Sequence, residues 1–452
     1  MTQENGKLVA ICHTVDTEGP LWETQDATFE RLEEMFGVRG LPRTSETMEK
    51  LRQREIPLNG LEDLVAGALN QQRTTTLKNW GEVDAMLDQC MDQAFRHQLK
   101  DSYGGGWVYN WHCLDHVGFQ YNPRHRDMGH HSIFDRYMEL VNTQPDCPDA
   151  IHFHFHPVST FGDAHRCATS YLTNSTIWDV LCRKVIERKW FPVVFRAGFQ
   201  TERPDSHWLL EQYVPFDVSN MATEDSTELD AMIDFRKGRS GNWRTAPADW
   251  SVYHPHHDDY RRPGNCRRWI ARSLNVLSRV ASIDQYEMDK AFARANQGNP
   301  TLVGLCSHDF RDLTKEVNET RNLIAKASEK YPDVRFKYCE GVDAFRRVLG
   351  MTEANDHPLD LEVTLDRNPK NDVPNITIST RAGQVFGPQP FLAIETHGRR
   401  FIHDNLDFNN AGNEWYYAFH HDTLMIEDVK KVGIAANDKY GNQFVEVLDL
   451  SK

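Results

Sequence analysis

The sequence predicts an α/β fold: an irregular (β/α) barrel of about seven strands, followed by a small all-β, sandwich-like domain. Three observations carry this. Apolar runs of strand length alternate with helix-periodic stretches over residues 1–350, the signature of βαβ units and a parallel sheet. About eight such repeats favour closure into a barrel over an open sheet. The composition then changes near residue 351, where a polar stretch ending in Pro358 reads as a linker to a β-rich region over 358–452.

Taken in order, the barrel strands are expected at 8–11, 107–109, 150–155, 191–195, 215–218, 269–274, 302–306 and 334–338. Helical periodicity spans 46–53, 82–95, 177–188 and 317–329. The stretch 24–106 is too long for one βα connection. It reads as a helical insertion, either covering the mouth of the barrel or decorating its surface. Beyond the linker, short alternating runs at 361–365, 376–378, 391–394, 424–426 and 444–447 are separated by turn signals such as Arg367-Asn368-Pro369 and Tyr440-Gly441-Asn442. This is the pattern of a small antiparallel sandwich.

At 452 residues the chain is too long for one ordinary domain, and its 39% hydrophobic content supports a sizeable core. A net charge of -15 argues against nucleic-acid partners and anionic membrane surfaces. No run of about 18 apolar residues is present, so no membrane span is expected. The first residues lack a secretory h-region, and the expected location is cytoplasmic. Nine cysteines without a Cys-x-x-Cys pair indicate neither a zinc ribbon nor a redox motif, and they read as small buried hydrophobes.

Four strand ends carry ionisable residues. The first is His13-Thr14-Val15-Asp16-Thr17-Glu18-Gly19, where Asp16 and Glu18 face one side of an extended chain. The bland alternative is a turn acid capping the next helix. The second is Ile151-His152-Phe153-His154-Phe155-His156-Pro157, where three imidazoles share a strand face and suit a transition metal. Their alternative is a set of hydrogen-bonded barrel histidines. The third ends in Arg196, which calls for a carboxylate or an anionic substrate. The fourth ends in His308, suited to general acid work. C-terminal strand ends carry the active site in barrels, so this set fits metal-assisted hydrolysis.

The order and spacing of these segments resemble the polysaccharide deacetylase family, the NodB-homology carbohydrate esterases. Thr14-Val15-Asp16-Thr17 is similar to its Thr-Phe-Asp-Asp motif. His152, His156 and Pro157 match His-x-x-x-His-Pro. Phe195-Arg196 is similar to its Arg motif, without the usual Pro-Tyr after it. Leu305-Cys306-Ser307-His308 fits Leu-x-x-His. Phe216-Asp217-Val218-Ser219 resembles an Asp-Ser-Ser segment, and Asp249-Trp250 is the nearest counterpart of its Asp/Trp motif. The resemblance covers roughly residues 7–350. Thr17 stands where the family carries a metal-binding Asp.

The resemblance implies a divalent metal, zinc above others, held by His152 and His156 with Glu18 or Asp16. It implies Asp16 as base, Arg196 as its orienting partner and His308 as the acid that protonates a leaving amine. Asp217 and Trp250 would bind substrate, and Asp309 or Asp217 would orient a histidine. His154 faces the same side as the two ligands and ranks below them. The implied reaction is removal of an N-acetyl group from a carbohydrate, in a group of relatives associated with surface-polysaccharide biosynthesis. An amidohydrolase on a small non-sugar amide, or an inactive barrel that binds glycan or protein, stays open beside it.

Two further histidine groups lack strand context: His112, His116, His125, His130 and His131, and His254, His256 and His257 beside Asp258 and Asp259. They stand as a second metal site, a sugar groove or loop packing. The C-terminal domain carries no chemical motif. It is left between carbohydrate binding, packing on the barrel, and pairing two copies into a homo-oligomer.

Overall fold

The structure is a computed structural model. It describes residues 6–70, 75–158, 162, 170–172, 174–224, 241–278, 281–354, 356, 358–370 and 372–451. The parallel strands are β1 (Leu8–Thr17), β2 (Tyr109–Leu114), β3 (Ala150–Phe155), β4 (Val194–Ala197) and β5 (Phe216–Asn220). A short antiparallel hairpin follows, β6 (Pro255–His256) with β7 (Asp259–Pro263), and then β8 (Trp269–Asn275), β9 (Thr301–His308) and β10 (Arg335–Tyr338).

Seven of these strands close a barrel in the order β1-β2-β3-β4-β5-β8-β9, because β9 pairs back onto β1 from Val9 to Asp16. The irregularity lies at β1. One edge pairs with β9 along its length. The other pairs with β10 over Leu8–Ile11 and with β2 over His13–Thr17. β10 is therefore wedged into the N-terminal end of the barrel. All ten residues of β1 are buried, as expected of a strand surrounded by helices and barrel interior.

The insertion is helical, with α1 (Gln25–Phe36), α2 (Ser45–Arg52), α3 (Glu62–Ala68), α4 (Trp80–Met91) and α5 (Gln93–Arg96). Thr24, Thr44 and Asn79 cap three of these helices with side-chain oxygens. The first three helices share a small core of Phe29, Leu32, Leu51, Val65, Ala68 and Leu69. This unit sits at the C-terminal end of the barrel. There Leu21 N donates to Leu77 O, and Leu77 N to Phe310 O. The remaining helices are α6 (Ser132–Asn142), α7 (Thr176–Arg188), α8 (Pro204–Tyr213), α9 (Gln285–Asn296), α10 (Leu313–Lys330) and α11 (Gly341–Val348). No described helix is long and apolar enough to cross a membrane.

The C-terminal region forms two four-stranded antiparallel sheets. One is built from β11 (Asp360–Asp366), β12 (Asn375–Ala382), β16 (Glu414–Ala418) and β15 (Asp407–Phe408). The other orders β14 (Phe401–Asp404), β13 (Phe391–Thr396), β17 (Val429–Asn437) and β18 (Gln443–Asp449). Strand alternation divides β13 between two cores. Leu392 and Ile394 enter the sandwich with Ile376, Ile378 and Trp415. Phe391 and Ala393 join Val185, Ile186, Phe191 and Tyr213 of the barrel. The domain is thus packed on α7. The expected strand at 424–426 is not one: Ile426–Asp428 makes a single 3-10 turn that leads into β17.

Candidate active site

The site lies where the C-terminal ends of β1, β3, β4 and β9 meet. Register places Asp16 of β1 beside His308 of β9, and His154 of β3 beside Arg196 of β4. Asp16 Oδ1 accepts a 2.7 Å hydrogen bond from Arg196 Nε. The same guanidinium donates to the Val218 carbonyl at 3.3 Å and reaches Cys306 Sγ at 2.6 Å. Arg196 is thereby fixed at the centre of the barrel with no solvent exposure. Asp16 Oδ2 is left facing His308 Nε2 at 3.7 Å and Cys306 Sγ at 3.6 Å.

Glu18 follows β1 and turns its Oε1 toward three imidazoles. It lies 3.6 Å from His156 Nε2, 4.0 Å from His154 Nε2 and 3.9 Å from His308 Nε2. Its Oε2 pairs with Arg126. Burial would raise the Glu18 carboxyl, but Arg126, His308, His154 and His116 together hold it at about 2. His154 Nδ1 donates to the Arg196 carbonyl at 2.9 Å, which turns its Nε2 lone pair toward the site. His156 Nε2 lies 3.0 Å from His154 Nε2. Burial, and then its neighbour His154, push the His156 pKa well below the usual imidazole range, so it is present as a neutral ring.

Glu18, His154 and His156 therefore form a buried group whose ligand atoms all lie within 4.8 Å of one another. Their separations of 3.0, 3.6 and 4.0 Å bracket the edge of about 3.3–3.4 Å that a tetrahedron with metal–ligand bonds of about 2.0–2.1 Å requires. Two imidazoles and one carboxylate are a donor set suited to zinc. The residues present fit a divalent cation.

His152 is not part of this group. It lies one layer deeper in the barrel, where its Nε2 is 3.1 Å from both Glu340 Oε1 and Asn110 Oδ1. The reason is strand geometry. At about 3.3 Å per residue, His152 and His156 are about 13 Å apart along an extended chain, while His154 and His156 are only about 7 Å apart. The pair on this strand whose nitrogens could share a cation is His-x-His rather than the outer pair. His152 instead braces the start of α11, which Glu340 caps through Val342 N and Asp343 N.

Two other expected site residues stand elsewhere. Asp217 is fully buried beside β4, accepting from Ser219 N at 2.8 Å and lying 3.4 Å from Arg268 Nε. Trp250 is also buried. Its Nε1 donates to the Glu287 carbonyl and carboxylate, and its ring underlies Arg272 at 4.4 Å. Both are held in ion-pair networks of the barrel wall. Asp249 bonds its own neighbour Ser251.

His308 has a defined orientation. Arg311 Nη2 donates to its Nδ1 at 3.0 Å, so in the neutral ring the proton sits on Nε2, facing Asp16 and Glu18. Burial, and then Arg311, hold its pKa well below the imidazole norm. Among the described residues Asp309 orients no histidine. It accepts from Glu18 N at 3.0 Å, Gly19 N at 2.9 Å and Tyr137 Oη at 2.8 Å, and so sets the loop that carries Glu18.

Sequence reasoning missed Arg126 entirely and gave His116 no role at this site. Both lie on the loop between β2 and α6. His116 Nε2 donates to the Glu18 carbonyl at 3.2 Å. The only signal was the density of histidines after β2. It missed Gly198 as well. A Cβ there would lie 2.0 Å from His156 Cδ2 and 2.7 Å from the Phe155 carbonyl oxygen. The glycine two residues after Arg196 makes the room that the His156 ring occupies. His254, His256 and His257 are remote, around the β6–β7 hairpin, where His207 Nε2 donates to the His257 carbonyl. Comparison with protein-family models, with curated proteins and with solved structures finds no match for this chain.

Proposed function

We propose that the protein is a metal-dependent hydrolase that removes an N-acetyl group from a carbohydrate. The observation that carries this reading is the convergence of Glu18 Oε1, His154 Nε2 and His156 Nε2 at the barrel mouth, flanked by Asp16 and His308. The resemblance of the strand-end motifs to the polysaccharide deacetylases supports the substrate class.

Glu18, His154 and His156 would hold a divalent cation, which would supply Lewis acidity to an acyl carbonyl and acidify a water. Asp16 takes the proton of the attacking water on Oδ2, since Oδ1 is engaged by Arg196. Arg196 keeps that carboxylate oriented in a buried setting. His308 presents Nε2–H to the nitrogen that leaves. In balance, a C–O bond forms and the amide C–N bond breaks. The proton that Asp16 takes from the water is handed on to the leaving nitrogen, which His308 Nε2–H meets as a hydrogen-bond donor; the second proton of the water is released to solvent, and the products are acetate and a free amine.

The test is elemental mass spectrometry joined to an acetate-release assay on N-acetylglucosamine oligomers. The native protein is expected to hold near-stoichiometric zinc or a similar cation. A His154→Ala, His156→Ala double variant should lose it, while His152→Ala should keep it. Asp16→Asn should keep the metal and lose about 10²–10⁴-fold in rate. A native protein that binds no cation even after soaking would overturn the mechanism and move the reading to a binding barrel.

A further inference from the structure

One buried cation at the mouth has no task in the mechanism above. Arg126 is 7% exposed. Its backbone is clamped by one side chain: Arg126 N donates to Asn122 Oδ1 at 2.9 Å, and Asn122 Nδ2 donates to the Arg126 carbonyl at 2.8 Å. Its guanidinium lies over the Phe310 ring at 4.7 Å. One terminal nitrogen, Nη2, pairs with Glu18. The other, Nη1, is buried and has no hydrogen-bond partner among the described residues.

Among the described residues three more buried atoms here lack a hydrogen-bond partner, Glu18 Oε2, His116 Nδ1 and His156 Nδ1. The two rings are 6.4 Å apart and edge-on, and His116 is tied to the Glu18 carbonyl. A buried guanidinium N–H without an acceptor is costly, so its place in a fold needs an explanation. Charge supplies one. Asp16 is paired with Arg196 and Glu18 with Arg126. These two pairs cancel and the buried Asp309 carboxylate adds one negative charge, so a divalent cation would leave the mouth with a net charge of about +1. A small anion restores the balance. A guanidinium is the donor best shaped to share a carboxylate.

The geometry points to Arg126 as the carboxylate-holding residue of this site. Its Nη2 keeps Glu18 in place. Its Nη1 donates to the negative oxygen of the acyl group as that group is transferred, and then to the acetate that results. This rests on the hydrolase reading and adds a product site to it.

The experiment is an acetate titration by calorimetry, with and without zinc, on the native protein and on Arg126→Gln and Arg126→Lys. Zinc content and acetate release are read on the same samples. Arg126→Gln is expected to keep its zinc, weaken acetate binding at least tenfold and lower kcat by about 10²–10³-fold with KM little changed. Arg126→Lys, which keeps the charge but not the fork, should fall between. If Arg126→Gln does not fold, Arg126→Lys with zinc retained and weakened acetate binding carries the same conclusion. Loss of zinc in both variants would make Arg126 a mere support for Glu18 and overturn the proposal. So would unchanged acetate affinity, or a native protein that binds no acetate in either state. Acetate binding that depends on Arg126 in a protein releasing no acetate would instead overturn the hydrolase reading alone.

Discussion

Asp309 holds the Glu18 loop through two backbone amides and ties it to α6 through Tyr137. Burial pushes its carboxyl up to about 6 against the pull of those hydrogen bonds. Replacing Asp309 by Asn turns one acceptor oxygen into a donor facing a backbone N–H, that of Glu18 or that of Gly19. The expected result is a metal affinity lowered about 10–100-fold, read by competition with a chelator. Gly198 acts at the same scale. Gly198→Ala drives a methyl into the His156 ring and the Phe155 carbonyl. It should reduce bound zinc while leaving the far-ultraviolet circular dichroism of the barrel unchanged. If zinc stays stoichiometric in Gly198→Ala, the close approach at His156 does not matter for the ligand set.

At the scale of elements, β17 shows why an alternating pattern can be overlooked. Val429–Asn437 begins with two lysines after its first residue and carries Gly433 at its centre, so the run reads as broken. Packing gives the glycine its reason. A Cβ on Gly433 would lie 2.6 Å from Val185 Cγ1 and 3.2 Å from Ile186 Cγ1, where the sheet meets α7. Gly433→Ala is expected to destabilise the protein by about 1–3 kcal/mol in a denaturant titration, an overpacking cost. β3 shows the opposite case. Its alternation was legible, yet its consequence for the candidate ligand pair depends on the rise per residue, which separates His152 from His156.

For the whole molecule, the contact between the two domains and the buried histidines set the response to mutation and to acid. Phe391 is fully buried and stacks among Phe191, Tyr213 and His403 at 5.2, 5.3 and 4.3 Å. Phe391→Ala should cost about 3–5 kcal/mol, and it should weaken barrel and sandwich together, seen as one shifted unfolding transition. Acid should destabilise the protein through histidines that the fold keeps neutral. Burial lowers His13 to about 3 and His116, His207 and His403 to about 4, each from 6.5. These groups bind protons more readily when unfolded, so their contribution is present above about pH 6.5 and is lost as pH falls through about 4 toward 3. Tm measured from pH 7.5 to 4 should fall steadily. His13→Gln should flatten the curve at its acid end, since His13 is held between Trp107 Nε1 and Ser307 Oγ.

The sequence by itself determined the barrel, the helical insertion and the all-β domain, because hydrophobic period and turn chemistry are local properties of the chain. It also determined that Asp16, Glu18, Arg196 and His308 end strands, which in a parallel barrel places them at one mouth. Only the tertiary structure decided which histidines converge, since Nε2 separations depend on strand rise, curvature and the space left by Gly198. It alone removed Asp217 and Trp250 from the site, where Arg268 and Glu287 claim them. It alone brought Arg126 to Glu18, because a pairing across 108 residues of sequence leaves no local pattern to read. Local periodicity encodes elements, whereas a site is made by side chains whose distances are set by the closing of the whole barrel.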